Sequence, residues 1–124
     1  MSMITEDYVS FEVAKLLKEK GFDQNCATYY LDGQVWRHYH GEVIPKGKQI
    51  YAAPTQAMAM KWLRKNYQIF IRPNISFLYP IKWYSEIFCY GDNLKTQQDI
   101  KTEYYDSPEQ ACEAAIKYCL ENLI

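Results

Sequence analysis

Apolar residues in this 124-residue chain follow two periods, a helical spacing in three segments and an alternating one between them. In the first helical segment Val13, Leu16 and Leu17 make one stripe. Ser10 stands where an N-cap belongs, and Glu12 suits the positive end of a helix dipole. Gly21 fits the left-handed position that ends a helix, with Phe22 placed to fold back on Leu17 in a Schellman arrangement. The spacing therefore predicts a helix over 10–20. The last segment is marked as clearly: Ser107 caps, Pro108 takes the first helical position, and Gln110 completes an S-x-x-Q capping box. Cys112, Ile116, Cys119, Leu120 and Leu123 fall on one face of that helix, which runs to about Asn122.

The middle helix is expected from Pro54 to about Asn66. Its start, Ala53-Pro54-Thr55-Gln56-Ala57, mirrors Ser107-Pro108-Glu109-Gln110-Ala111 at an offset of 54, and Met58 and Trp62 fall opposite Cys112 and Ile116. That match raises an internal duplication of strands-then-helix halves, with shared helix-start chemistry as the alternative.

Between the helices, Tyr29-Tyr30-Leu31, Asp32-Gly33 and Gln34-Val35-Trp36 read as a hairpin on a type I′ turn, with a short strand at 49–52. Tyr67 to Arg72 reads as a strand that Pro73-Asn74 stops, and Ile75 to Tyr79 as a loop or sheet edge. Ile81 to Tyr90 sets Ile81, Trp83, Ile87 and Cys89 against Tyr84, Phe88 and Tyr90, and Lys101 to Tyr105 leads into the last helix. The expectation is a single α+β domain over 1–124, ordered α-ββ(β)-α-ββ(β)-α, as antiparallel sheet with its helices mainly on one face. The other face would hold Trp36, Tyr84, Phe88 and Tyr90, more aromatic surface than three helices cover.

Charge narrows the options. With 14 basic and 15 acidic residues, net −1, the chain lacks the clustered positive charge of a nucleic-acid binder. Lys15, Lys18 and Lys20 share the first helix with Glu12 and Glu19, as a solvated face does. No segment reads as a secretory signal, no apolar run is long enough to span a membrane, and the four cysteines form no C-x-x-C pair. Reduced thiols in the cytoplasm are the expectation, with Cys112 and Cys119 as core residues.

Few residues suggest chemistry. His38 and His40 lie two apart on a strand, as two metal ligands would, but only Cys26 and Glu42 are near in sequence to complete a site. Cys26 beside them is a conceivable nucleophile without a motif around it. Asp92, Asp99, Glu103 and Asp106 match no cation-loop spacing. No phosphate-loop, dinucleotide or nucleophile-elbow motif is present, so no cofactor is implied. Arg72, Lys82, Trp83 and Tyr84 interleave charge with aromatic rings, a pattern able to stack a ligand. Candidate interface or ligand residues are therefore Trp36, Arg72, Lys82, Tyr84 and Tyr90, with His38 and His40 as metal candidates.

Three stretches, Tyr8 to Phe22, Ala53 to Arg64 and Glu109 to Leu123, together resemble a family of small proteins of unassigned activity encoded by gut Bacteroides-type bacteria and their phages. The likeness lies in helix starts and core spacing, so it implies a fold and a phage or mobile-element setting and carries over no active-site residue. Together with the aromatic face it leads to the expectation of a non-enzymatic binding protein, a homodimer or one that contacts a host protein or sequesters a small ligand, with counter-defence as a fitting role. The alternative is a small enzyme built on His38 and His40.

Overall fold

The computed structural model describes residues 6–36, 49–91 and 98–124. Three helices and six strands follow in the order α1 (Phe11–Glu19), β1 (Tyr29–Leu31), β2 (Gln34–Trp36), β3 (Ile50–Ala52), α2 (Gln56–Tyr67), β4 (Ile69–Ser76), β5 (Lys82–Cys89), β6 (Gln98–Lys101) and α3 (Pro108–Asn122). This is the α+β arrangement the patterning predicts.

The helix ends follow their residues. Ser10 accepts from the Val13 amide, Thr55 from Met58 and Ser107 from Gln110, so each helix has a side-chain N-cap. At the end of α1, Gly21 takes φ +92°, its amide donates to the Lys18 carbonyl, and the Phe22 amide donates to the Leu17 carbonyl at 2.9 Å. That is the Schellman pattern. Helix α2 stops without a glycine: Gln68 itself adopts the left-handed conformation, at φ 52°.

The strands divide into two three-stranded antiparallel sheets, ordered β2-β1-β3 and β4-β5-β6, instead of one. Helix α2 intervenes between β3 and β4, and each set pairs with its own near neighbours in sequence. The hairpin of the first sheet turns on Asp32 and Gly33, both at positive φ as a type I′ turn requires. Its Tyr30 and Tyr51, paired across β1 and β3, meet the Phe11 ring of α1 edge-on at 5.5 and 5.6 Å.

Each half thus runs three strands then a helix, and the equivalence stops at element order. The first strand is central in the first sheet and the second strand in the second. The N-caps Thr55 and Ser107 lie 52 residues apart, not the 54 of the sequence match. Pro54 precedes its cap, whereas Pro108 follows one.

Two strand limits differ from expectation. Strand β4 continues through Pro73, which pairs with Ser85, as far as Ser76. It is an edge strand, bonded on one side only, where a missing amide donor is tolerated. Strand β6 ends at Lys101, not Tyr105. Glu86 pairs with Lys101, whereas Trp83 bridges Tyr105, so one extra residue is accommodated between 101 and 105. That bulge interrupts the ladder and reverses which residues face which side.

One core joins the pieces. Val13, Leu17, Ala59, Leu63, Ile69, Ile71, Ile87, Ile116, Cys119 and Leu120 are all buried, so α2 and α3 cover the face of the second sheet that carries Ile69, Ile71 and Ile87. Cys112 and Cys119 are buried on the core side of α3 as expected, and burial pushes the Cys119 thiol up to about 12. No helix among the described residues is long and apolar enough to cross a membrane.

Candidate functional site

The second sheet's other face has no described element packed over it. Strand alternation sends Phe70, Arg72 and Asn74 from β4, Tyr84, Glu86 and Phe88 from β5, and Asp99 and Lys101 from β6 to that face. Its centre is Glu86. Arg72 Nη2 donates to Glu86 Oε1 at 2.7 Å and Asn74 Nδ2 to the same oxygen at 3.0 Å. Glu86 is only 7% exposed, although no described helix lies above it. The hydrogen bonds from Arg72 and then Asn74 hold its carboxyl below the usual range, and the hydrogen bond to Glu86 in turn raises the Arg72 guanidinium.

Aromatic rings flank this charged centre. Phe70 and Phe88, paired across β4 and β5, stack at 6.4 Å, and the Arg72 guanidinium lies 5.4 Å from the Phe88 ring centre. On the other side Tyr104 meets Tyr84 edge-on at 5.6 Å, and Lys101 Nζ stands 5.9 Å from the Tyr84 ring centre. The bulge after Lys101 brings Tyr104, not Glu103, beside Tyr84. Nothing in the strand pattern announces that substitution.

The β4–β5 connection extends the surface. Phe77, Leu78, Tyr79 and Ile81 are 82%, 79%, 97% and 55% exposed, around a cis Tyr79–Pro80 peptide. Four large apolar side chains within five residues are thus presented to solvent at the tip of one hairpin. Lys82, at its base, is ion-paired with Asp106.

The residues singled out from sequence are only partly brought together. Arg72 and Tyr84 share the open face, and Lys82 lies at its hairpin end. Trp83 takes the opposite side of β5 and bridges Tyr105, so it does not join Tyr84 in a stacking platform. Trp36 belongs to the first sheet, paired with Tyr29, and is not part of the open face expected to hold it. Tyr90 follows β5 and gives its hydroxyl to the Arg64 carbonyl at the end of α2, 3.3 Å away. Phe70, Tyr104 and the hairpin tip are the members that sequence reasoning passed over. Phe70 was legible in principle, from its alternation with Ile69 and Ile71.

The chemical candidates fare differently. His38 and His40 lie outside the described residues, as does Asp92. Among the described residues no three His, Cys, Asp or Glu side chains are grouped to hold a metal ion. Asp106 is engaged by Lys82, and Asp99 lies on the open face beside Phe88. Cys26 is half-buried, 4.0 Å from the Met58 sulfur, and desolvation raises its thiol, which disfavours the nucleophilic thiolate.

No protein-family model, curated protein or solved structure matches the chain.

Proposed function

We propose that this is a non-enzymatic binding protein that docks a protein partner on the open face of the second sheet and the hairpin tip beside it. The carrying observation is the tip: Phe77, Leu78, Tyr79 and Ile81 leave most of their surface in solvent, being 55% to 97% exposed. Isolated exposed apolar residues are ordinary, whereas a contiguous group of large ones next to an aromatic sheet face is what interfaces are made from. Tyr79, Tyr84 and Tyr104 supply large area with a polar end, the combination enriched in contacts between proteins. The Arg72–Glu86 pair at the centre would orient the partner. Net charge of −1 sets little repulsion against a second copy, so a homodimer is one form of this reading. A host protein in the cytoplasm is the other, and the resemblance to phage-encoded proteins favours a counter-defence setting for it.

The test compares wild type with a Leu78→Ser/Tyr79→Ser variant and with Tyr84→Asp, by analytical ultracentrifugation and by affinity capture from a bacterial host lysate. Self-association, or one captured partner, is expected with wild type and lost with both variants, while thermal stability changes little for the tip variant. A wild type that stays monomeric and captures nothing in a manner dependent on these residues overturns the reading.

A further inference from the structure

On the helix side of the second sheet, away from its open face, a cleft of about 470 Å³ lies between the segment after α1 and the outer surface of α2. Its size falls within the range of small-molecule sites, roughly 300–1,000 Å³. Trp62 and Met58 supply its apolar surface, and Lys61, Lys65, Gln24 and Asn25 its polar rim. Trp62, 8% exposed, meets Phe22 edge-on at 5.4 Å and Tyr67 at 5.3 Å, so the part of its ring that borders the cleft is fixed, and Met58, 40% exposed, lies beside it.

The charge of this cleft is one-sided. Its described lining has two lysines and no carboxylate, the adjacent Asp23 standing outside it and accepting from Gln24 Nε2 at 2.9 Å, in a chain with 15 acidic residues and a net charge of −1. Helix α2 carries Lys61, Arg64 and Lys65 and no Asp or Glu between Gln56 and Tyr67. Basic residues in a last turn complement the helix dipole, which accounts for Arg64 and Lys65. It does not account for Lys61, one turn earlier on the same face as Lys65. Neither Lys61 nor Lys65 has an ion-pair partner among the described residues, where Lys82 and Lys117 do. Two ammonium groups one turn apart, beside an apolar surface and without an ion-pair partner among the described residues, can hold an anionic group while its attached body packs on Met58 and the exposed edge of Trp62.

We propose that this cleft binds a small organic anion, a phosphate or carboxylate group on an apolar or aromatic body, with Lys61 and Lys65 as the anion ligands. The site is independent of the docking face, since α2 packs on the covered side of the sheet. Titration of the ¹⁵N-labelled protein with adenosine monophosphate and with naphthoate tests it, with adenosine and inorganic phosphate as the halves of the first probe. The expected result is a saturable shift of the Trp62 indole and of the Gln24 and Asn25 amides by at least one of the two organic anions. A Lys61→Gln/Lys65→Gln variant, whose altered side chains are exposed, should fold normally and bind that probe about tenfold more weakly per lysine removed. Adenosine and phosphate alone should each bind more weakly than their ester. The proposal is overturned if neither anion moves these resonances at millimolar concentration, or if the double variant binds as tightly as wild type. It is equally overturned if the shifts fall on Phe70 and Tyr84, or if phosphate alone binds as well as the organic anions.

Discussion

The two faces of the β4-β5-β6 sheet come from the same strands and differ in what shields their buried positions. On the covered face Ile69, Ile71 and Ile87 lie under α2 and α3, and helices exclude the water. On the open face Glu86 is nearly as buried as Ile71, at 7% against 5%, and among the described residues it is shielded by neighbouring side chains: Arg72 and Asn74 hydrogen-bond to it, with Phe88 under the guanidinium. The covered face is therefore a requirement of folding, whereas the apolar area of the open face is held in place by a charged centre and left available. Residues that leave the fold intact when changed are the ones to test for function, and they belong to the second group.

The largest effect that sharpens this contrast is a truncation on the covered side. Ile87→Ala, or Ile116→Ala in the same core, should cost about 2–5 kcal/mol in urea denaturation, because both are fully buried and leave a cavity. Phe70→Ala, on the adjacent strand but the open face and 39% exposed, should cost about 1 kcal/mol. Equal losses would mean that the open face is covered in solution, as in a dimer, and the concentration dependence of the Phe70→Ala effect would show it. Next in size, Ser107→Ala should cost about 1 kcal/mol by removing the cap of α3, the helix that lies over β4 and β5.

How much of this was legible follows the same division. Helix α3 was readable because Ser107, Pro108 and its apolar stripe are local signals that the fold does not override. The Asp32-Gly33 turn and the end of α1 were readable for the same reason: each depends on a backbone conformation that glycine supplies. Pro73 misled, since a proline ends a central strand but not an edge strand, and strand order is not written locally. The face expected to gather Trp36, Tyr84, Phe88 and Tyr90 kept only Tyr84 and Phe88, because alternation assigns a side within a strand and says nothing about which sheet the strand joins. Tyr104 reached the open face through a bulge, which the sequence does not mark.

The two faces should also titrate at opposite ends of the pH scale. Glu86 has its carboxyl lowered in the folded state by Arg72 and Asn74, so its contribution is present above the ordinary carboxylate value of about 4.3 and is lost as pH falls through the lower folded value. Cys119 is raised to about 12 by burial on the core face of α3, so its contribution is present below the ordinary thiol value of about 8.5 and is lost as pH rises toward 12. Glu86→Gln should flatten the acid limb of the stability profile and leave the alkaline limb; Cys119→Ala should do the reverse. An acid limb unchanged by Glu86→Gln would mean that the open-face cluster is not formed in solution.

The smallest expected effect probes a buried polar atom on the covered face that has no hydrogen-bond partner among the described residues. Ser85 lies opposite Pro73 with its side chain fully buried, and its backbone is satisfied on both sides by Thr102, whose hydroxyl accepts from the Ser85 amide at 2.8 Å and whose amide donates to the Ser85 carbonyl at 2.9 Å. Its hydroxyl has no hydrogen-bond partner among the described residues. Burial raises the neighbouring Cys112 thiol, and the Ser85 hydroxyl opposes that only in part, a weak contact that does not offset the lost hydration of an alcohol. Ser85→Ala removes the unsatisfied group at the expense of one small gap, so stability should stay unchanged or rise by up to about 1 kcal/mol. A loss of more than about 1 kcal/mol would show that the hydroxyl has a partner in solution, a buried water or a residue outside those described. In that event the covered face would hold a polar anchor of its own, and the contrast with Glu86 on the open face would be one of degree.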